Sequence, residues 1–310
     1  MNYHFLRMSS ALCALTLAIA CGQMQQSTIP PLSQASSLSG SSLLYVLGKF
    51  DGRKLSVYSF PGGEPHKHVL MPTKGGYYIC SDHGGNVYAP TYNVIFKYAH
   101  GGQRPIAYLQ DKGALGPECA GDPKTGNLLA GGPGGTQGCR VVLYIHAKGS
   151  PRCIKAIDFD ISHPSYDSNG DLFFYGEKNQ NFLGELPAGA SKTFKISLNK
   201  TVTRIWDLQW DGQDIAIQGK LPGTIDQPVV IERVHISGAK GTVVKTIRFD
   251  GWTDSDQQFW ISGNLIIAPL TDTELGIWNY PQGGKKVGTI TMPSFVSWTV
   301  SVSSDRSVAR

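Results

Sequence analysis

The chain has 310 residues, 41% of them hydrophobic and 16% charged, with 37 glycines and a formal net charge of +5. A disordered chain would carry more charge and fewer apolar residues, and a disulfide miniprotein would need more than six cysteines in this length. A multi-spanning membrane protein would show uncharged apolar runs of about 18 residues or more, and the sequence contains none. Abundant glycine with frequent Tyr, Val and Ile points instead to many short strands joined by tight turns.

Residues 1–21 read MNYHFLRMSSALCALTLAIAC. Arg7 makes a modestly basic start, and Ala11 to Ala20 form an apolar run too short for a bilayer core of roughly 30 Å. Residues 1–20 are therefore expected to be an export signal. The stretch Ala18-Ile19-Ala20-Cys21 resembles the lipobox of bacterial lipoproteins, which implies acylation of Cys21. Ala18-Ile19-Ala20 also fits the small-x-small pattern of ordinary signal cleavage. Residues 22–42 hold seven Ser, four Gln, two Pro and no charge. Such a segment buries no core, and its 21 residues reach about 25 Å as a flexible tether. A tether directly behind a cysteine makes sense when that cysteine carries lipid, so a membrane anchor through Cys21 is the expectation. The resemblance implies an envelope address, the outer membrane or cell surface, with the domain facing the periplasm or the exterior. Arg7 is the only Lys or Arg in the leader, and the exported chain stays weakly basic, without any run of five basic residues. Nucleic acid is not an expected partner.

From residue 43 onward the chain repeats. An apolar strand, a Pro/Gly-rich turn and a second strand recur at 57–70, 96–109, 143–157, 183–196, 232–247 and 277–290. The marking glycines are Gly63, Gly102, Gly149, Gly189, Gly238 and Gly284, with a mean spacing of about 44 residues. Upstream of each copy after the first lies another hairpin, at 81–89, 122–130, 167–174, 210–217 and 261–268, built on Asp, Asn and Gly. These residues supply positive φ and local side-chain hydrogen bonds. Two hairpins, or four strands, per 44 residues is the period of a β-propeller blade. Six such units fill residues 43–310. The segment SLLYVLGKF (42–50) lacks an inner partner, and SFVSWTVSVSSD (294–305) is an inner strand with nothing after it. Together they would complete one blade and close the ring, which argues against a sandwich or a solenoid. The expected fold is an all-β, six-bladed β-propeller.

The Tyr-Pro-x-Gly-Gly turn at 280–284, the Asp-x-x-x-Gly-Asn-Leu hairpin at 122–128 and the lipoprotein-like leader together resemble bacterial six-bladed propeller proteins. These are similar in architecture to NHL-repeat and SMP-30/gluconolactonase-like propellers. The resemblance implies ligand or partner binding on the channel face, and in some relatives metal-dependent hydrolysis. The positions where the chain enters its inner strands are Tyr77, Glu118, His163, Arg204, Asp256 and Trp298. Trp252, in a loop with Asp254 and Asp256, is expected to be exposed beside these acids. A small polar ligand or a protein partner would meet these eight residues. No cofactor is expected. The alternative is one divalent cation in the central channel, held by Glu118 and Asp256 with Asp254 and Asp207 nearby, as a lactonase-like hydrolase would require. Asp82, Asp122 and Asp167 are accounted for by hairpin turns. The glycine-rich stretch 131–138 is expected to be an enlarged loop on the ligand face, since it lacks the Lys of a phosphate-binding loop. Cys80, Cys119, Cys139 and Cys153 remain open between free thiols and three pairings.

Overall fold

The computed structural model of the chain describes residues 42–48, 54–71, 78–91, 94–110, 118–132, 139–178, 180–200, 202, 205–220, 229–253, 257–292 and 297–304. The leader, Cys21 and the tether up to residue 41 lie outside these residues, as do Tyr77, Arg204, Asp254, Asp256 and most of the glycine-rich stretch. Trp298 falls within a strand, but its side chain is outside the description.

Among the described residues the regular structure is strand, with one short 3-10 turn at Ile145–Ala147. The chain opens with β1 (Ser42–Gly48), β2 (Lys54–Phe60) and β3 (Pro65–Leu70). A four-stranded meander follows as β4 (Cys80–Ser81), β5 (Val87–Pro90), β6 (Val94–Tyr98) and β7 (Pro105–Gln110). The next is β8 (Glu118–Gly121), β9 (Leu128–Gly131), β10 (Val141–Tyr144) and β11 (Arg152–Cys153). Two further meanders are β12 (Asp160–Tyr166) to β15 (Phe194–Leu198), through β13 (Leu172–Lys178) and β14 (Gln180–Leu186), and β16 (Ile205–Trp210) to β19 (Lys240–Arg248), through β17 (Ile215–Gly219) and β18 (Val230–Ser237). They join into one eight-stranded sheet because β15 and β19 pair in parallel, Ser197 with Lys240 and Leu198 with Gly241. Another meander holds β20 (Trp260–Ser262), β21 (Leu265–Thr271), β22 (Glu274–Asn279) and β23 (Lys286–Thr291). The last strand, β24 (Ser297–Ser304), returns to the start and pairs antiparallel with β1, from Ser42 opposite Ser304 to Leu47 opposite Thr299.

In four of the meanders the first hairpin forms where Asp can close a turn on itself. Asp82, Asp122, Asp167 and Asp211 each accept backbone N–H groups two to four residues ahead, at 2.8–3.3 Å. Gly85, at φ +81 and with a Cβ position only 2.7 Å from the Ser304 carbonyl, marks a turn that accepts no other residue. The core lies between sheets. Leu55 and Val57 pack with Val87 and Phe96, Tyr88 and Ile95 with Leu128 and Val142, and Leu129 and Val141 with Ile161 and Phe174. The series continues through Phe173 with Ile217, Ile231 with Ile266, and Ile267 and Leu275 with Leu44 and Val300. Each apolar layer links one meander to the next, and the final layer returns to the first strand.

Both cysteine pairs are closed. Cys80 on β4 bonds Cys119 on β8, and Cys139 bonds Cys153, with Cα separations of 5.9 and 5.6 Å. Cys153 stands opposite Val142 in register, so the second bridge is diagonal. It fits because the 3-10 turn at 145–147, with His146 and Ala147 at positive φ, lengthens that hairpin. The first bridge spans 39 residues and fastens two inner strands that share no backbone ladder. Replacing Cys80 and Cys119 together by Ser is expected to lower unfolding free energy by about 3–4 kcal/mol, read as a lower urea midpoint, with a larger m-value because the unfolded chain is freed to expand.

Candidate functional site

The strands β4, β8, β12, β16, β20 and β24 each sit at one edge of a meander or, for β24, at the edge of the first sheet. Their free backbone groups need partners, and side chains from neighbouring inner strands supply them. The Glu118 carboxyl Oε2 accepts the His163 backbone N–H. Asp207 Oδ2 accepts the Phe259 N–H at 3.0 Å. Gln258 Nε2 donates to the Ile79 carbonyl at 3.2 Å, and the Ile79 N–H donates to Thr299 Oγ1 at 3.0 Å. Thr299 Oγ1 in turn donates to Gln258 Oε1. One layer along, Gln209 pairs both its amide groups with the backbone of Ile261, at 2.7 and 3.1 Å. Ser81 Oγ donates to the Val302 carbonyl at 2.8 Å. The girdle encloses a cavity of about 380 Å³ that all six strands line.

Glu118, His163 and Asp207 meet in the wall of this cavity, from β8, β12 and β16. His163 holds φ +56, uncommon for a residue with a Cβ. It lies in a bulge of β12 between Ser162 and Ser165, the kind of irregularity that re-aims a side chain next to a site. The bulge turns the His163 N–H toward Glu118 and its imidazole toward Asp207, with Nδ1 3.6 Å from Oδ1. That is too long for a hydrogen bond, and Nδ1 has no partner among the described residues. The Tyr78 ring stands edge-on to the imidazole at 5.4 Å. Asp207 Oδ1 accepts its own neighbour's N–H, that of Leu208, at 2.9 Å.

Burial sets the charge state. It pushes the Glu118 carboxyl well above the usual range, helped by Asp207 and Glu177 and opposed by the His163 N–H. It pushes Asp207 up likewise, against the Phe259 and Leu208 N–H groups. It lowers the His163 imidazole to about 3. The imidazole is therefore neutral at neutral pH, so His163 with Asp207 is no ion pair.

Of the residues singled out in the sequence, the structure brings Glu118 and His163 together and adds Asp207, which the sequence placed only nearby. Trp252 is not part of the site. It is buried at 1% exposure, stacked on Trp278 at 5.6 Å and flanked by Phe249 and Phe259. The turn at Asp250-Gly251, with Gly251 at φ +80, folds the ring back into the layer between two sheets. Among the described residues no group of three His, Cys, Asp or Glu side chains is gathered as a metal site, and Asp256 lies outside the described residues. Gln258 and Gln209 went unnoticed because an isolated Gln carries no pattern in sequence.

The strand order, the cyclic packing and the central cavity define a β-propeller. Solved structures with the same fold include the nidogen/laminin complex, with TM-score 0.60 and 12% identity over 86% of this chain and 99% of that one. TolB from Acinetobacter baumannii matches with TM-score 0.58 and 13% identity, over 85% of this chain and 66% of the TolB chain. Both are β-propeller proteins, and at such identities the likeness is one of fold. No family model matches the sequence, and no curated protein matches it.

A carboxyl held protonated by burial costs stability wherever the unfolded chain would have released that proton. For Glu118 the loss grows as pH rises above about 4.3, the ordinary glutamate value. Glu118→Gln keeps an acceptor for the His163 N–H and removes the titration. It is expected to raise unfolding free energy at pH 7.5, with the gain gone at pH 4, as measured by urea denaturation of both proteins.

Proposed function

We propose that this chain is an exported, lipid-anchored six-bladed β-propeller that serves as a binding module at the cell envelope. It would present its central cavity to a small polar ligand or to a protruding group of a protein partner. The observation that carries this reading is the convergence of Glu118, His163 and Asp207 in a cavity of about 380 Å³, a size typical of ligand sites. Burying three titratable groups costs stability, and the positive φ at His163 adds strain. Both are the marks of a site shaped for something other than folding. The two disulfides suit an oxidising compartment outside the cytosol, in agreement with an export signal at 1–20 and acylation at Cys21. The return of β24 to β1 and the circuit of apolar layers support the count of six blades.

The lactonase-like reading needs carboxylates that offer bare oxygens to a divalent cation. Glu118 and Asp207 keep lone pairs beyond those spent on backbone N–H groups, but two carboxyls fall well short of the about six or more oxygens a hard divalent cation gathers, so these side chains favour binding over metal-assisted hydrolysis. A photo-crosslinking phenylalanine analogue at Trp210, which lines the cavity, is expected to trap an adduct in intact cells. The same group at Ile106, exposed on the outer strand β7, should trap none. Adducts from position 106 alone would overturn the reading in favour of rim binding. Cys21→Ser should release the protein from membranes, and unchanged membrane association would refute the anchor.

A further inference from the structure

The hydrogen-bond inventory around Glu118, His163 and Asp207 is lopsided. A carboxylate offers about four acceptor sites. Asp207 spends two, one on each oxygen, and Glu118 spends one. Nδ1 of His163, on a side chain nine-tenths buried, is unmatched among the described residues. No lysine or arginine stands among the described residues lining the cavity, in a chain with 28 Lys and Arg against 23 Asp and Glu. Another pair of buried carboxyls among the described residues, Asp211 and Asp214, is matched by Arg233, at 2.6 and 2.9 Å. Among the described residues the wall lacks hydrogen-bond donors carrying positive charge.

We infer that the cavity takes an organic cation, a primary ammonium or guanidinium group seated among Glu118, His163 and Asp207. The inference rests on the reading of the cavity as the ligand site and names the chemistry of its occupant. An ammonium brings three donors and a guanidinium five, which matches the acceptors left over. The rings of Tyr78, Trp210 and Trp260 are also in the wall, and aromatic rings attract a desolvated cation. The volume admits a molecule of amino-acid size, or one long basic side chain reaching in from a partner.

Binding would be linked to protons. In the empty cavity burial raises both carboxyls, and a bound cation favours their ionised forms, so pairing with it draws protons off them. Affinity should therefore rise with pH. The groups facing the pair are His163 on β12, already neutral, and Glu177 on β13, which adds to the pressure on Glu118. Toward the other end of the cavity stand Asp82 and His83, beyond β4. The Asp82 carboxyl is occupied there by Asn86 and Tyr88.

Calorimetry and ligand-observed NMR on the purified full-length chain test this. The probes are agmatine, the capped peptide acetyl-Gly-Arg-Gly-amide, glutarate and glucose. The expected result is binding of agmatine, the peptide or both, tighter at pH 8 than at pH 6. Glu118→Gln and Asp207→Asn should each weaken it at least tenfold. Glu118→Gln keeps an acceptor for the His163 N–H, Asp207→Asn keeps one for only one of its two N–H partners, and thermal unfolding verifies that the variants fold. Agmatine alone would identify a small amine as the natural source, and the peptide alone a partner's side chain. Glutarate or glucose binding in the cavity, with the cations rejected, would overturn the inference and leave the cavity as a ligand site. Rejection of all four probes would overturn the inference and count against the cavity reading as well.

Discussion

The pairing of β1 with β24 is the constraint on which the rest of the structure depends. It joins residues more than 250 positions apart, Ser42 to Ser304 and Leu47 to Thr299, and so carries the largest loop-closure cost in the chain. In return it removes two free sheet edges and completes the circuit of apolar layers, since Leu44, Val46 and Val300 form a wall against Leu265 and Leu275. Without that circuit the inner strands would have no reason to surround a common cavity.

The inner strands face one another across that cavity without a backbone ladder between them. Their edge groups are met by side chains of the next strand, through Glu118, Asp207, Gln209, Gln258 and Thr299. The same side chains line the cavity, with Thr299 bonded directly to Gln258 behind it. The bracing of the inner strands and the lining of the cavity are thus carried by one set of side chains. Glu118 shows the compromise most plainly, since it holds β12 in place through the His163 N–H while its second oxygen faces no described donor. The disulfide from Cys80 to Cys119 pins the neighbouring strand at the residue next to Glu118, which helps to hold that carboxyl where two sheets meet.

Much of this could be read from the residues. Turn-forming Asp and Gly fix hairpins by local geometry, so the positions of β4–β5, β8–β9 and β12–β13 were legible at once. The unpartnered strands at the two ends of the domain pointed to each other. Glu118 and His163 were legible as residues entering inner strands, because a four-strand period gives their place to within a residue or two. Trp252 misled because burial is decided by the turn before it: Gly251 at positive φ aims the indole inward, and a sequence of acids and glycine around a tryptophan looks like an exposed loop. The bridge from Cys139 to Cys153 was hidden by the 3-10 turn that offsets its hairpin. The bulge at His163 leaves no trace in residue type, yet it creates the contact between β8 and β12.

The central claim is that Glu118, His163 and Asp207 form a desolvated cluster with a neutral imidazole at the heart of the propeller. Its most direct test is the titration of the His163 imidazole by nitrogen-15 NMR, with His163→Asn, which suits the positive φ, assigning the signal. The account predicts that this imidazole stays neutral from pH 7.5 down to pH 4.5, with protonation only toward about 3. A midpoint near 6.5, the value of a solvated histidine, would show water and charge in the cluster and contradict the account.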